Sequence, residues 1–495
     1  MGTELRAWLA VADSFITALE RLAWDARAVV DGAAEAVAGA REVQTEGLRR
    51  GARLRKTGWM LTQVAAGYRL YGLRSAFVSE AAAERMLERL HARSARNFSR
   101  VSAEQGGAFL KLGQLLSARS DLLPAIWIEE LASLQDDAPP VSYPEIERAL
   151  EQALGAPVER LFAQLDPEPH AAASIGQVHR AITHEGEVVA VKVQRPGVEA
   201  LVEADLDMLE LFVESMRSML PDLDHATIVA ETRSAVRAEL DYAKEAHVAG
   251  RVARALDGMA GVIIPEPVDA LCGPTVLTTR FAEGRKITLV LDALEARAGA
   301  GDPGARAQIS ELLGRLLALY LRQVLEHGLF QADPHPGNIL VTLAGELVLL
   351  DFGCSKELPP EARAGYLAVL RAFLFGERER LPALFDALGF ETRSGTPDTL
   401  LAFTDALLGE IAQSAGGPVR WPTRAELLER AGGLAEQLER DPVTALPPEL
   451  VMLGRVFATL GGLFTRYRPE IDFARHVLPV VGAALQQEED HATLV

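Results

Sequence analysis

Apolar residues recur at helical spacing through the first hundred positions, as in Leu5, Leu9, Phe15 and Leu19. The background there is rich in Ala, Arg, Leu and Glu, and the spacing predicts helices. A second helical stretch runs from about Val101 to Pro140 and stops at the paired Pro139-Pro140. Residues 142–166 predict another helical segment, which Ser142 caps with Glu145 three positions later. The period then changes. Val178–Thr183 and Val188–Val193 are β-branched runs either side of His184-Glu185-Gly186-Glu187, the signal of a hairpin. Helical sequence resumes from about Val198 to Leu256, a strand is expected over Pro274–Phe281, and Glu283-Gly284 reads as a hinge. From Ile309 the chain is mostly helical, apart from Asn338–Val341 and Glu346–Leu350 flanking a turn at Ala344-Gly345. These elements predict an α+β fold of two lobes. A small strand-bearing lobe at 167–282 precedes a larger helical lobe at 283–495. A helical region at 1–100 and a helical extension at 101–166 come before both.

Composition narrows the class. With 49% hydrophobic and 24% charged residues over 495 positions, the chain is ordinary globular material. Its net charge of −19 disfavours a nucleic-acid partner. Cys272 and Cys354 cannot build a disulfide framework or a zinc site, which suits a reducing compartment. Glu4, Arg6 and Asp13 interrupt any secretory signal, and Arg6 breaks a myristoylation pattern at Gly2. No charge-free stretch is longer than that of Thr57–Tyr68, twelve residues, against the ~18 a membrane span needs. A cytoplasmic protein is expected, with peripheral attachment to the inner face of the membrane left open.

The charge is unevenly spread. Residues 1–100 hold 16 Lys+Arg and 11 Asp+Glu, and no acidic residue lies between Glu46 and Glu80. Arg49, Arg50, Arg53, Arg55, Lys56, Arg69 and Arg74 fall there, interleaved with Trp59, Tyr68 and Tyr71. Such a helix face suits an anionic membrane surface. It equally suits packing on the acidic remainder of the chain.

Four residues carry the chemistry. Lys192, in Val189-Ala190-Val191-Lys192, stands where a kinase strand presents its ATP-binding lysine. Asp333 and Asn338 have the D-x-x-x-x-N spacing of a catalytic loop, and Asp351-Phe352-Gly353 is a DFG triplet behind an apolar run. Each alone recurs by chance, and Lys192 alone would be an ordinary strand lysine. Phosphoryl transfer from ATP needs the whole set. The lysine holds the non-transferring phosphates, Asn338 and Asp351 hold magnesium, and Asp333 meets the attacking hydroxyl. The lysine's acidic partner is expected on the following helix, with Glu239 and Glu245 as candidates on different faces.

Departures from ordinary protein kinases are as informative. The loop before the lysine strand reads Ala171-Ala172-Ala173-Ser174, not glycine-rich, so its amides approach phosphates less freely. An altered nucleotide grip is expected. Ala332 occupies the place of a regulatory arginine, and His335, between two prolines, reads as structural. Only Cys354–Pro360 separates the DFG triplet from a helix expected at about Glu361. No platform for a peptide substrate fits in that length.

Taken together these residues resemble the UbiB atypical-kinase family, also called AarF or ADCK, over roughly Val101–Pro360. Lys111-Leu112-Gly113-Gln114 is similar to its KxGQ motif, Ser133–Asp137 to the segment that follows, and Ala171–Ser174 to its alanine-rich loop. Glu239 and Asp241 are similar to its ExD motif, and Glu245 to the glutamate paired with the ATP lysine. The resemblance implies a protein-kinase-like fold whose KxGQ helices cover the cleft, with Lys111 and Gln114 facing inward. It also implies ATP and Mg as cofactors, kinase or ATPase activity, and a role in isoprenoid quinone or prenyl-lipid metabolism. Two other readings stay open: a small-molecule phosphotransferase, and a nucleotide-gated scaffold without catalysis.

Overall fold

Long helices open the described chain because alanine, leucine and arginine fill it with good helix formers and no proline interrupts them. The structure, a computed structural model, describes residues 41–75, 77–105, 113, 124–132, 140–173, 175–216, 230, 233–234, 236–413 and 418–494. Leu5 to Leu19, Lys111, Gln114, Ser133–Pro139 and Ser174 therefore lie outside the described residues.

In chain order the helices before the lysine strand are α1 (Arg41–Ser75), α2 (Glu80–Gln105), α3 (Ala125–Ala132), α4 (Tyr143–Leu154) and α5 (Val158–Leu161). The strands β1 (Gln164–Leu165), β2 (Ala171–Ala172), β3 (Gly176–Ile182) and β4 (Val188–Gln194) follow. Next come α6 (Val198–Met216), α7 (Tyr242–Ala255), β5 (Val262–Ile263), β6 (Val276–Arg280), β7 (Arg285–Lys286), α8 (Ile287–Gly299) and α9 (Pro303–Arg322). The site segment holds β8 (Leu329–Gln331), β9 (Ile339–Val341), β10 (Leu347–Leu349) and β11 (Ser355–Glu357). Beyond it run α10 (Pro360–Leu374), α11 (Leu381–Leu388), β12 (Glu391–Thr392), α12 (Asp398–Gln413), β13 (Pro418–Arg420) and α13 (Arg424–Arg440). The chain closes with β14 (Val443–Ala445), α14 (Pro448–Tyr467), β15 (Glu470–Asp472), α15 (Phe473–His476) and α16 (Leu478–Leu494).

The chain divides into two compact units. The first takes the described residues of Met1–Val158, Asp166–His179 and Lys192–Leu240. Within it, α1 buries Met60, Leu61, Val64 and Ala65 and leaves Arg55, Lys56 and Trp59 exposed. Trp127 of α3 lies edge-on to Phe98 of α2 and donates to Tyr68 Oη at 3.2 Å; Tyr68 Oη meets His91 Nδ1 at 2.6 Å. Of the basic run, Arg55, Lys56 and Arg74 are thus exposed together with Trp59, while the apolar face is packed. Lys56 pairs with Glu104. In α4, Glu145 Oε2 accepts from Ser142 N and Oγ, as the sequence predicts. The helix is shorter than the expected 142–166, because Gly155 at φ +71° ends it. Val198, Val202 and Leu206 of α6 pack with Ile175 and Val236.

The second unit takes Glu159–Leu165, Arg180–Val191 and Asp241–Val495. Within it β1 lies antiparallel to the end of β3, with Gln164 opposite Ile182 and Leu165 opposite Ala181. A sheet of this unit runs β5-β10-β9-β7. Its core gathers Leu291, Leu313, Leu316, Leu349, Phe352 and Phe464 around α8, α9 and α14. The helix expected over Val198–Leu256 is broken. Glu239 and Leu240 form a turn, and Asp241 opens α7 by accepting from Lys244 N at 3.0 Å. Asx residues favour caps over helix interiors, so Asp241 starts a helix where periodicity alone would run through it.

Candidate active site

The second unit builds the site from its two short ribbons. Gly328, at φ +62°, turns the chain out of the helical turn Gln323–His327 into β8. Strand β8 pairs antiparallel with β11, setting Gln331 opposite Ser355 and Leu329 opposite Glu357. The catalytic-loop sequence and the segment after the DFG triplet are thereby held side by side. Ala332 N donates to Cys354 O at 2.7 Å, just before Asp333.

Past Asp333 the loop folds on itself. His335 Nδ1 accepts from Gly337 N at 3.1 Å, and His335 O accepts from Asn338 N at 2.8 Å, a structural role for this histidine. Strands β9 and β10 then pair with Ile339 opposite Leu349, and Leu350 N donates to Asn338 O at 2.8 Å. That register sets Asn338 beside the DFG triplet.

Asp351 itself sits at φ +61°, a left-handed conformation that aspartate tolerates better than most residues. Its exposed carboxylate accepts from Gly353 N at 3.2 Å, while Phe352 turns into the core. A Cβ on Gly353 would stand 3.4 Å from Asp351 Oδ1 and 3.8 Å from Glu245 Oε2. Two carboxylate oxygens therefore flank the space that glycine leaves open. Glu245 comes from the first turn of α7 and is 3% exposed.

A buried amide ties these parts together. Gln331 Nε2 donates to Leu350 O and Asp351 O, both at 2.5 Å, its N–H donates to Gln323 Oε1 at 3.0 Å, and Tyr320 Oη donates to its Oε1. Burial, then the Asp333 charge, pushes the Tyr320 hydroxyl far above its ordinary pKa, so it stays a donor. Burial also lowers His327, leaving it neutral near pH 7.

Asp333 is half-buried, and Oδ1 accepts from Arg455 Nη2 of α14 at 3.1 Å. Sequence reading missed Arg455, 122 positions away, and nothing local signals it. It also missed Gln331, although an amide between Leu329-Phe330 and Ala332 in a buried strand is a signal of a hydrogen-bonding hub.

The remaining predicted residues fall as follows. Asp241 belongs to the second unit as the exposed cap of α7. Lys192, Ala171–Ala173 and Glu239 belong to the first. Lys192 alternates on β4 with the buried Val191 and Val193. Ala171 and Ala172 pair with Val178 and Gln177, and Ala173 N donates to Gly176 O at 2.8 Å, so these alanines are tied to the start of β3. The sequence suggested one helix carrying both Glu239 and Glu245; instead Glu239 stands in the turn before α7.

Hard oxygen ligands suit magnesium, which takes one or two carboxylates and completes its shell with phosphate and water. Asp351, Asn338 and Glu245 offer such oxygens. Among the described residues no group of three or more His, Cys, Asp and Glu is gathered as an all-protein metal cage.

A D-x-x-x-x-N loop held against a DFG turn by these ribbons marks a kinase-like protein. Residues 133–384 match the ABC1 atypical kinase-like domain, and the chain belongs to that family, the UbiB/AarF family. It is 33% identical to the uncharacterized protein sll1770 of Synechocystis sp., over 74% of this chain and 61% of that protein. It is 32% identical to ACTIVITY OF BC1 COMPLEX KINASE 7, chloroplastic, of Arabidopsis thaliana, over 76% of this chain and 52% of that one. The chain thus spans about half to three-fifths of these relatives' lengths. Among solved structures it is similar to Rv3197 of Mycobacterium tuberculosis, described in complex with erythromycin. The TM-score is 0.58 at 25% identity, covering 81% of this chain and 99% of that one.

Proposed function

We propose that this protein transfers the terminal phosphoryl group of ATP, to water or to a small lipid-like acceptor, with magnesium as its metal. The observation that carries the reading is the joint placement of Asn338, Asp351 and Glu245, through the Leu350–Asn338 hydrogen bond and the open space at Gly353. Asp351 and Asn338 would hold the metal, which when bound neutralises phosphate charge. The family resemblance implies that Lys192 would bind the non-transferring phosphates, with Glu245 as its acidic partner. Asp333 orients the acceptor hydroxyl and takes its proton. Ala171–Ser174 would cover the nucleotide, and Lys111, Gln114, Glu239 and Asp241 would line its site.

The small acceptor is supported by the six residues Cys354–Pro359 between the DFG glycine and α10, too few for a peptide platform. Rv3197, with a similar fold, is described with a small molecule, erythromycin. A prenyl-lipid or quinone intermediate is the acceptor class the family resemblance favours. Cytoplasmic protein attached peripherally to a membrane is consistent with it. Among the described residues no helix is long and apolar enough to cross a membrane, and α1 exposes Trp59 beside Arg55 and Lys56. Calorimetric titration with ATP tests the reading. Wild type should bind more tightly with magnesium, and Asp351→Asn should lose that gain; equal magnesium dependence would overturn the metal assignment.

A further inference from the structure

Arg455 lies beyond residues 133–384, the span that matches the family domain, yet reaches its catalytic-loop aspartate. The helix that carries it is firmly seated. Leu453, Val456, Leu460, Phe464 and Tyr467 form a buried stripe at helical spacing along α14. Trp421 packs edge-on against Phe464, Tyr467 Oη donates to Asp292 Oδ1 at 2.7 Å, and Arg306 donates to Tyr467 O at 3.0 Å. Arg455 sits beside that stripe, so its guanidinium projects from a fixed rail.

The contact uses one oxygen. Arg455 Nη2 meets Asp333 Oδ1, and among the described residues no other group hydrogen-bonds to this carboxylate. Oδ2 is left for an acceptor. The two side chains are 21% and 29% exposed, so the pair is too wet to contribute much to stability. A guanidinium has five donors, and this one spends a single donor on Asp333.

We infer that Arg455 is a positioning residue: it fixes the rotamer of Asp333 through Oδ1, and α14 is an integral part of the phosphoryl-transfer site. The inference rests on the reading of Asp333 as the acceptor-facing aspartate. A carboxylate free to rotate would meet an acceptor hydroxyl in fewer productive geometries, and small misplacement costs up to about 10²-fold in rate.

The test uses the full chain and Mg·ATP, reading phosphate release and nucleotide affinity for wild type, Asp333→Asn, Arg455→Met, Arg455→Lys and Arg455→Gly. Arg455→Met should lower kcat by about 10–100-fold with nucleotide Kd unchanged. Arg455→Lys should recover part of the loss, and added guanidinium ion should restore Arg455→Gly. A merely structural arginine would not give rescue by a soluble cation. Full activity in Arg455→Met, with Asp333→Asn inactive, overturns the inference and leaves the site reading intact. Full activity in Asp333→Asn overturns the site reading itself. Should Arg455→Met fail to fold, Arg455→Lys decides: an unchanged kcat in that folded variant, with no guanidinium rescue of Arg455→Gly, overturns the inference.

Discussion

Gln331 Nε2 stands 2.5 Å from the carbonyl oxygen of Asp351 and at the same distance from that of Leu350. One buried amide therefore fixes the backbone on which the proposed metal ligand turns. The same side chain accepts from Tyr320, whose ring is fully buried. The catalytic-loop strand and the DFG turn are coupled by side-chain chemistry as well as by the β8–β11 ribbon.

Replacing Gln331 with leucine keeps the volume and strands several buried polar groups. Unpaired buried groups cost ~1–3 kcal/mol each, so a net loss of about 2–4 kcal/mol is expected. Urea unfolding at pH 7 measures it. A loss below about 1 kcal/mol would show that water replaces the amide. Phosphate release should fall as well, since Asp351 loses its anchor.

Stability should decline as pH falls from about 6.5 towards 5. His179 is completely buried in the first unit, where Nδ1 donates to Asp166 O at 2.8 Å and Nε2 accepts from Gln177 Nε2 at 2.8 Å. Burial lowers its pKa, and a proton on Nε2 would confront the Gln177 amide. In this window the unfolded chain takes up a proton that the folded chain refuses, so unfolding is favoured. His91, His327 and His476 are lowered by burial with the same sign, while Glu326, raised by burial, opposes them. Unfolding free energies measured across pH 5–7 check the slope. A flat profile, or one that rises on acidification, contradicts this accounting.

Much of this architecture was legible in local sequence. The β3–β4 hairpin follows from β-branched alternation around Gly186, and β9–β10 from apolar runs around Gly345. The kinase-like set was legible because its spacings are local: Asp333 to Asn338, and an apolar strand before Asp351. What escaped was long-range or very short. Two-residue strands such as β5 and β7 leave no period to read, and β5 exists because it finds β10 as a parallel partner. Asp241 interrupts a periodic helical run because its side chain caps α7, which period alone does not reveal. Arg455 is placed by the packing of α14, and only tertiary structure brings it to Asp333.

Phosphate release from Mg·ATP by the purified chain, with and without anionic liposomes and with Asp351→Asn as control, tests the central claim most directly. Release by wild type that is lost in Asp351→Asn, and increased by the liposomes, is the predicted result. Equal release by both proteins, or none from wild type under either condition despite tight nucleotide binding, would contradict phosphoryl transfer to water at this site.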